Sequence, residues 1–317
     1  MSKNIAFLFP GQGVQYVGMG KSLYENIEVC REIFDRGQEI LDMPIKDIIF
    51  QGPEETLTKT ENNQPSILLA SLACLKALQL EGIEADYVAG LSLGEYAALI
   101  YGGALSFEDG VKLIKKRASI MESSLEQGTG SMAAVLKLNR DKIEELLEKA
   151  SEFGIAEAAN YNCPGQVVIS GEVPAIKASV KIAKELGGMA IPLKVSGPFH
   201  SSLYKEASYK YHAELKKVEI NHPDKIVYSN VKGMPYTEED DMADLLREQI
   251  MSSVLFEDSI KDMIDKGVDT FIEIGPGKAL NGFIKKIDRS VKVYNIEDMD
   301  SLRATVNTLK DDILVMM

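Results

Sequence analysis

The sequence predicts an α/β protein, with a mostly parallel sheet in its core and a small α+β subdomain inserted into that core. Three observations carry this reading. Short apolar, β-prone runs at Ile5–Phe9, Tyr87–Gly90 and Phe271–Ile274 each stop at a glycine-containing turn, and the last two lead into helical patterns. Between residues 130 and 196 the order changes to strand, helix, strand, strand, helix, strand (SMAAVLKL, RDKIEELLEKAS, IAEAAN, QVVISG, VPAIKASVKIAKEL, MAIPLKV), which is the ferredoxin-like order. Core-like patterns then resume with KIVYSN and with helices around Asp241–Ile250 and Phe256–Lys266. The core is therefore expected to be discontinuous, residues 1–129 and 197–317, around a subdomain at 130–196.

Taken in order, Ile5–Phe9 reads as a buried strand that ends at Pro10-Gly11-Gln12-Gly13, a cluster suited to a tight backbone course. Ser66–Leu80 is too densely apolar for a surface helix and suits one buried nearly all round. Ser106, with Asp109 three residues on, reads as an N-cap with an acidic partner, opening a helix through Val111, Ile114, Ala118 and Met121. Near the C-terminus, Gly275-Pro276-Gly277 reads as a turn before a helix at Lys278–Lys286.

Composition narrows the function. Of 317 residues, 45% are hydrophobic and 26% charged, the usage of a packed globular enzyme. The net charge of −13, from 48 acidic against 35 basic residues, repels phosphate backbones and anionic lipid, so neither nucleic acid nor a membrane surface is an expected partner. The apolar run at the N-terminus is too short for a signal peptide and no stretch reaches the ~20 apolar residues of a membrane span, so a cytoplasmic location is expected. Cys30, Cys74 and Cys163 show no C-x-x-C spacing, which argues against both a disulfide framework and a metal site.

Gly90-Leu91-Ser92-Leu93-Gly94 matches G-x-S-x-G, in which flanking glycines let a strand turn sharply into a helix and push the serine oxygen outward. That geometry belongs to a hydrolase-like core. Residue frequencies alone would place the pattern in a chain of this length on the order of one time in ten, so its position between strand and helix is what gives it weight. Serine needs a base to become nucleophilic, most often histidine. His212, in KYHAELKK, and His222, in EINHPDK, read as solvated; His200, in the Gly-Pro-containing VSGPFHSS, is the candidate base, the alternative being a loop histidine that only packs. No acid near His200 in sequence presents itself to orient the ring, although a backbone carbonyl could do so. Arg117, beside Lys115 and Lys116, reads first as part of a solvated basic face. On a helix crossing a crevice it could instead clamp a carboxylate.

Together FLFPGQG, GLSLGEYAAL, KKRASIM, GSMAAV, ANYNCPGQVVISG, GPFHSS and FIEIGPGKALNGFI resemble the malonyl-CoA:acyl carrier protein transacylases of fatty acid synthesis, in the same order from about residue 4 to 297. The resemblance implies Ser92 as nucleophile, His200 as base and acid, and backbone N–H groups of Gln12 and Leu93 as the oxyanion hole. It implies Arg117 as the malonyl clamp, the Gln249 carbonyl as the group orienting His200, and Asn160 as a polar residue lining the site. Malonyl-CoA and an acyl carrier protein are the implied partners, with no metal or redox cofactor. Phe199 is similar to what malonyl-selective members carry. One departure stands out: the family usually has histidine before the nucleophile, where this chain has Leu91.

Two other readings share these motifs. A freestanding acyltransferase of a polyketide synthase would carry the same site. A serine esterase or thioesterase would share the elbow but have no use for Arg117.

Overall fold

Of the five residues Ile5–Phe9, Ala6 through Phe9 are wholly buried, which is the signature of a central parallel strand covered on both faces. A computed structural model describes residues 4–126, 128–195 and 197–314, with side chains as far as 310. Along the chain the strands are β1 (Ile5–Phe9), β2 (Tyr87–Gly90), β3 (Gly130–Leu136), β4 (Ala156–Cys163), β5 (Gln166–Glu172), β6 (Met189–Pro192), β7 (Ile226–Ser229), β8 (Met234–Pro235), β9 (Thr270–Ile274) and β10 (Lys292–Ile296). The chain forms two compact units: residues 1–115, 221–228 and 263–317, and residues 116–220 with 229–262.

In the first unit the strands run parallel in the order β10-β9-β1-β2-β7, with β1 between β9 and β2. The buried helix begins at Thr60 rather than at Ser66 and runs to Leu80 through Pro65. Proline removes one helical bond there, but Thr60, Asn63, Gln64 and Ser66 are all buried, so tertiary packing overrides the local signal. The cap at Ser106 forms as its sequence demands: Asp109 N–H donates to Ser106 Oγ at 3.0 Å, and that hydroxyl donates to Asp109 Oδ2 at 2.8 Å.

In the second unit β4-β5-β3-β6 form an antiparallel sheet, with the first and third strands of the β-α-β-β-α-β order side by side at its centre. Helices Arg140–Ala150 and Val173–Glu185 cover one face through Ala133, Val135, Ile143, Leu146, Ile169, Ile176 and Ile182. Each fully buried aliphatic side chain there contributes roughly 1.5–3 kcal/mol. Residues 130–196 lie within this unit, which also takes in the helices Lys205–Leu215, Met242–Gln249 and Phe256–Asp265 of the later chain. No helix among the described residues is long and apolar enough to cross a membrane.

Glu273, near the end of β9, is wholly buried and caps the helix Ala279–Ile287, accepting from the N–H groups of Leu280 at 3.1 Å and Asn281 at 2.9 Å. Burial pushes its pKa up from 4.5 to about 7, against the pull of those N–H groups. A carboxyl with a raised folded-state pKa holds its proton more tightly when folded. Its contribution to stability is therefore complete below pH 4.5 and lost as pH rises through about 7. We expect the denaturant midpoint of the protein to fall over that interval and Glu273→Gln to flatten the fall; an equally steep fall in the variant would rule this out.

Candidate active site

Ser92 follows β2 at the head of the helix Gly94–Tyr101, with φ of 55°, a left-handed conformation uncommon for a residue with a side chain. The flanking glycines are steric necessities. A Cβ on Gly90 would stand 1.9 Å from the Gly94 carbonyl carbon, and one on Gly94 would stand 2.2 Å from the Phe9 oxygen. Leu91 N–H donates to Phe9 O at 2.9 Å, and Glu95 N–H donates back to Ser92 O at 3.1 Å, so the turn is pinned on both sides. The loop after β1 comes to the same place. A Cβ on Gly11 would lie 2.7 Å from the Leu91 oxygen, which is why the residue next to Gln12 carries no side chain. Among the described residues, the N–H groups of Gln12 and Leu93 donate to no backbone acceptor; Leu93 is the N-cap of its helix, where the macrodipole favours an anion. The first unit thus brings together Gln12, Ser92 and Leu93. Leu91, half-buried, turns its side chain toward the Gly11 loop.

Arg117, His200, Gln249 and Asn160 belong to the second unit. The first three form one hydrogen-bonded group. His200, only 4% exposed, has its Nδ1 2.7 Å from the carbonyl of Gln249. A carbonyl only accepts, so Nδ1 carries the proton of the neutral ring and the basic lone pair lies on Nε2. Gln249 is the last residue of the helix Met242–Gln249, where carbonyls lack a partner one turn ahead and are available to other donors. Its side-chain Oε1 accepts from Nη2 of Arg117 at 3.0 Å. Arg117 is therefore no solvated basic residue: it is 1% exposed.

Burial first and the Arg117 charge second bring the His200 pKa down from 6.5 to about 4, against the backbone hydrogen bonds to Gln249 and Ser252. The imidazole is accordingly neutral at physiological pH. Its loop is tightly seated: a Cβ on Gly130 would stand 2.3 Å from Pro198, Ser201 Oγ donates to Pro198 O at 2.7 Å, and Phe199 stacks on Tyr204 at 5.9 Å. Asn160, 8% exposed, sits where the β4–β5 register shifts, with its neighbours paired to a later segment. Val254 N–H donates to Ala159 O at 2.8 Å and Tyr161 N–H to Val254 O at 2.9 Å.

The motifs alone did not disclose two of these features, the side-chain contact of Gln249 with Arg117 and the action of Ser252 on His200. Arg117 and Gln249 are 132 residues apart, and no local pattern announces a pairing over that distance. Among the described residues, no cluster of histidine, cysteine and acids suits a metal ion.

Residues 6–309 match the model of the acyl transferase domain family. The chain is 45% identical to a Bacillus subtilis malonyl CoA-acyl carrier protein transacylase over 314 residues, covering 98% of this chain and 99% of that protein. It is also similar to the crystal structure of the malonyl CoA-acyl carrier protein transacylase from Clostridium perfringens, at 48% identity and a TM-score of 0.96, covering 99% of each chain. A third likeness, at 31% identity and a TM-score of 0.93 over 96% of this chain and 100% of the other, is to a malonyl-transacylase in complex with its type II PKS acyl-carrier protein. The chain belongs to the acyl transferase family of malonyl CoA-acyl carrier protein transacylases.

Proposed function

We propose that this chain transfers the malonyl group of malonyl-CoA to the phosphopantetheine thiol of an acyl carrier protein, through a malonyl ester of Ser92. The observation that carries this is a buried guanidinium hydrogen-bonded to the residue that also holds a buried, neutral imidazole. A serine hydrolase needs the imidazole; only a carboxylated acyl group needs the guanidinium as well.

Ser92 Oγ attacks the thioester carbonyl carbon while Nε2 of His200 takes its proton, and the N–H groups of Gln12 and Leu93 receive the developing oxyanion. The C–S bond breaks, and His200 returns the proton to the departing coenzyme A sulfur. The carrier thiol then gives its proton to His200 and attacks the carbonyl carbon of the malonyl ester; the C–O bond to Ser92 breaks, and His200 passes that proton to Ser92 Oγ. Arg117 holds the malonyl carboxylate through both half-reactions, and Asn160 lines the site. The chemistry calls for no cofactor, and we place it in the cytoplasm, where carrier protein and coenzyme A thioesters meet. Residues 130–196 serve as the ferredoxin-like subdomain inserted in the catalytic core, 1–129 and 197–317.

Intact-mass analysis after mixing with malonyl-CoA or acetyl-CoA tests the assignment: malonyl label is expected on the protein and lost in Ser92→Ala. Label that persists in that variant refutes the nucleophile, and equal labelling by acetyl-CoA refutes the role of Arg117.

A base held neutral down to about pH 4 predicts an acid limb of kcat/KM near that value rather than near 6.5. Arg117→Ala removes a positive charge that disfavours the imidazolium, so its limb moves up. Binding of the malonyl carboxylate offsets the same charge, so the acid limb of kcat lies above that of kcat/KM. A limb near 6.5 in both proteins would contradict the proposed geometry.

Carrier proteins are typically acidic, which requires a local basic patch on a chain of charge −13. Lys286 and Arg289, after β9, are exposed, whereas Lys285 is turned back onto the Val291 carbonyl at 2.6 Å. Charge reversal at Lys286 and Arg289 is expected to raise the KM for carrier protein and leave that for malonyl-CoA in place; an unchanged carrier KM would eliminate this patch.

A further inference from the structure

We propose that the Gln249 side chain is a positioning residue for Arg117, and that through it Gln249 sets the preference for carboxylated acyl groups. The inference rests on the malonyl-transfer reading above. Gln249 acts with two separate atoms: the backbone oxygen takes Nδ1–H of His200 at 2.7 Å and the side-chain oxygen takes Nη2–H of Arg117 at 3.0 Å. Only the first of these is fixed by the backbone; the second depends on what side chain stands at 249. All three residues are buried, so neither contact competes with solvent.

The arrangement has a reason in the chemistry of the clamp. A guanidinium on a long, flexible stem loses rotamer freedom when it engages a carboxylate, and one already fixed avoids part of that cost. The acceptor must also be neutral. An amide oxygen satisfies an N–H of Arg117 and leaves its charge intact, whereas a carboxylate would satisfy it and cancel the charge the substrate needs.

Charge at this point also reaches the base. Arg117, from the helix Phe107–Ser123, is the charged group whose field acts on His200. Acids nearby include Glu157 on β4, which accepts from Ser202 N–H at 2.6 Å, and Glu122, whose charge raises the Tyr204 hydroxyl pKa while that of Arg117 lowers it. A negative charge at 249 would therefore act on His200 against the field of Arg117.

Single-turnover acylation of the full chain by malonyl-CoA and by acetyl-CoA, read by intact mass, tests this in wild type, Gln249→Met, Gln249→Glu and Arg117→Ala. Gln249→Met is expected to lower the malonyl-to-acetyl ratio of kcat/KM about tenfold, mainly through the KM for malonyl-CoA, since a hydrogen bond to a charged group is lost. Gln249→Glu lowers it at least as far and moves the acid limb upward. In an Arg117→Ala background Gln249→Met changes the ratio no further, because the residue acts through Arg117. A ratio unchanged in both Gln249 variants overturns the inference alone. So does an equal loss for both thioesters with the acid limb unmoved, the outcome of a merely structural role. Wild-type protein that takes no malonyl label overturns the function and this inference together.

Discussion

The close approach of Gly94 to the carbonyl oxygen of Phe9 governs the turn that carries Ser92. With a Cβ placed 2.2 Å from that oxygen, any residue but glycine would force the helix away from the end of β1. The approach lets the helix begin two residues after Ser92, with Leu93, whose N–H donates to no backbone acceptor among the described residues, as its N-cap. It also obliges the chain to turn within the space of Leu91–Leu93, and the left-handed φ of Ser92 is the result. Such a conformation costs on the order of 1–3 kcal/mol and persists only when its surroundings over-determine it. Here the Leu91–Phe9 hydrogen bond and the first helical bonds do so. The elbow is thus a property of two adjacent strands, β1 and β2, rather than of a five-residue motif.

In the second unit the governing condition is desolvation. Removing the imidazole from water disfavours its charged form, and the guanidinium adds to that, so His200 is neutral. A carboxylate at Nδ1 would raise the pKa and strengthen the base, yet the carbonyl at the end of a helix fixes the tautomer without introducing a charge. The proposed reaction, with the malonyl carboxylate on Arg117, is served by that choice, since an acid beside His200 would repel malonyl as well as orient the ring.

The sequence made a large part of this legible, and the missing part follows a physical rule. Local signals were readable: the strand at Ile5–Phe9 from its apolar run, the cap at Ser106 from its acid three residues on, the ferredoxin-like order of 130–196 from alternating periods. The helix start at Thr60 was misplaced because burial, not propensity, extends it past Pro65. The bare composition around Arg117 pointed to a solvated face, and the structure shows a buried guanidinium, because the flanking Lys112 and Lys116 are exposed while Arg117 lies on the inner stripe of the same helix. Contacts between distant residues were unreadable in principle. Nothing near Gln249 records that its amide meets Arg117, and only the resemblance linked its carbonyl to His200.

The identity of residue 249 then bears on why a buried arginine is tolerable at all. Taking a guanidinium out of water costs several kcal/mol unless its N–H groups find acceptors, and an acidic acceptor is the usual remedy. At position 249 the acceptor is an amide, which meets the hydrogen-bonding requirement and leaves the charge of the pair at plus one. A buried positive charge that is hydrogen-bonded but not cancelled at this contact is disposed to bind an anion, which in the proposed reaction is the malonyl carboxylate. The same positive charge adds to the burial that keeps His200 unprotonated. In the proposed reaction clamp and base thus share Gln249 as a common support, and binding of the malonyl carboxylate would relieve part of the field that lowers the His200 pKa.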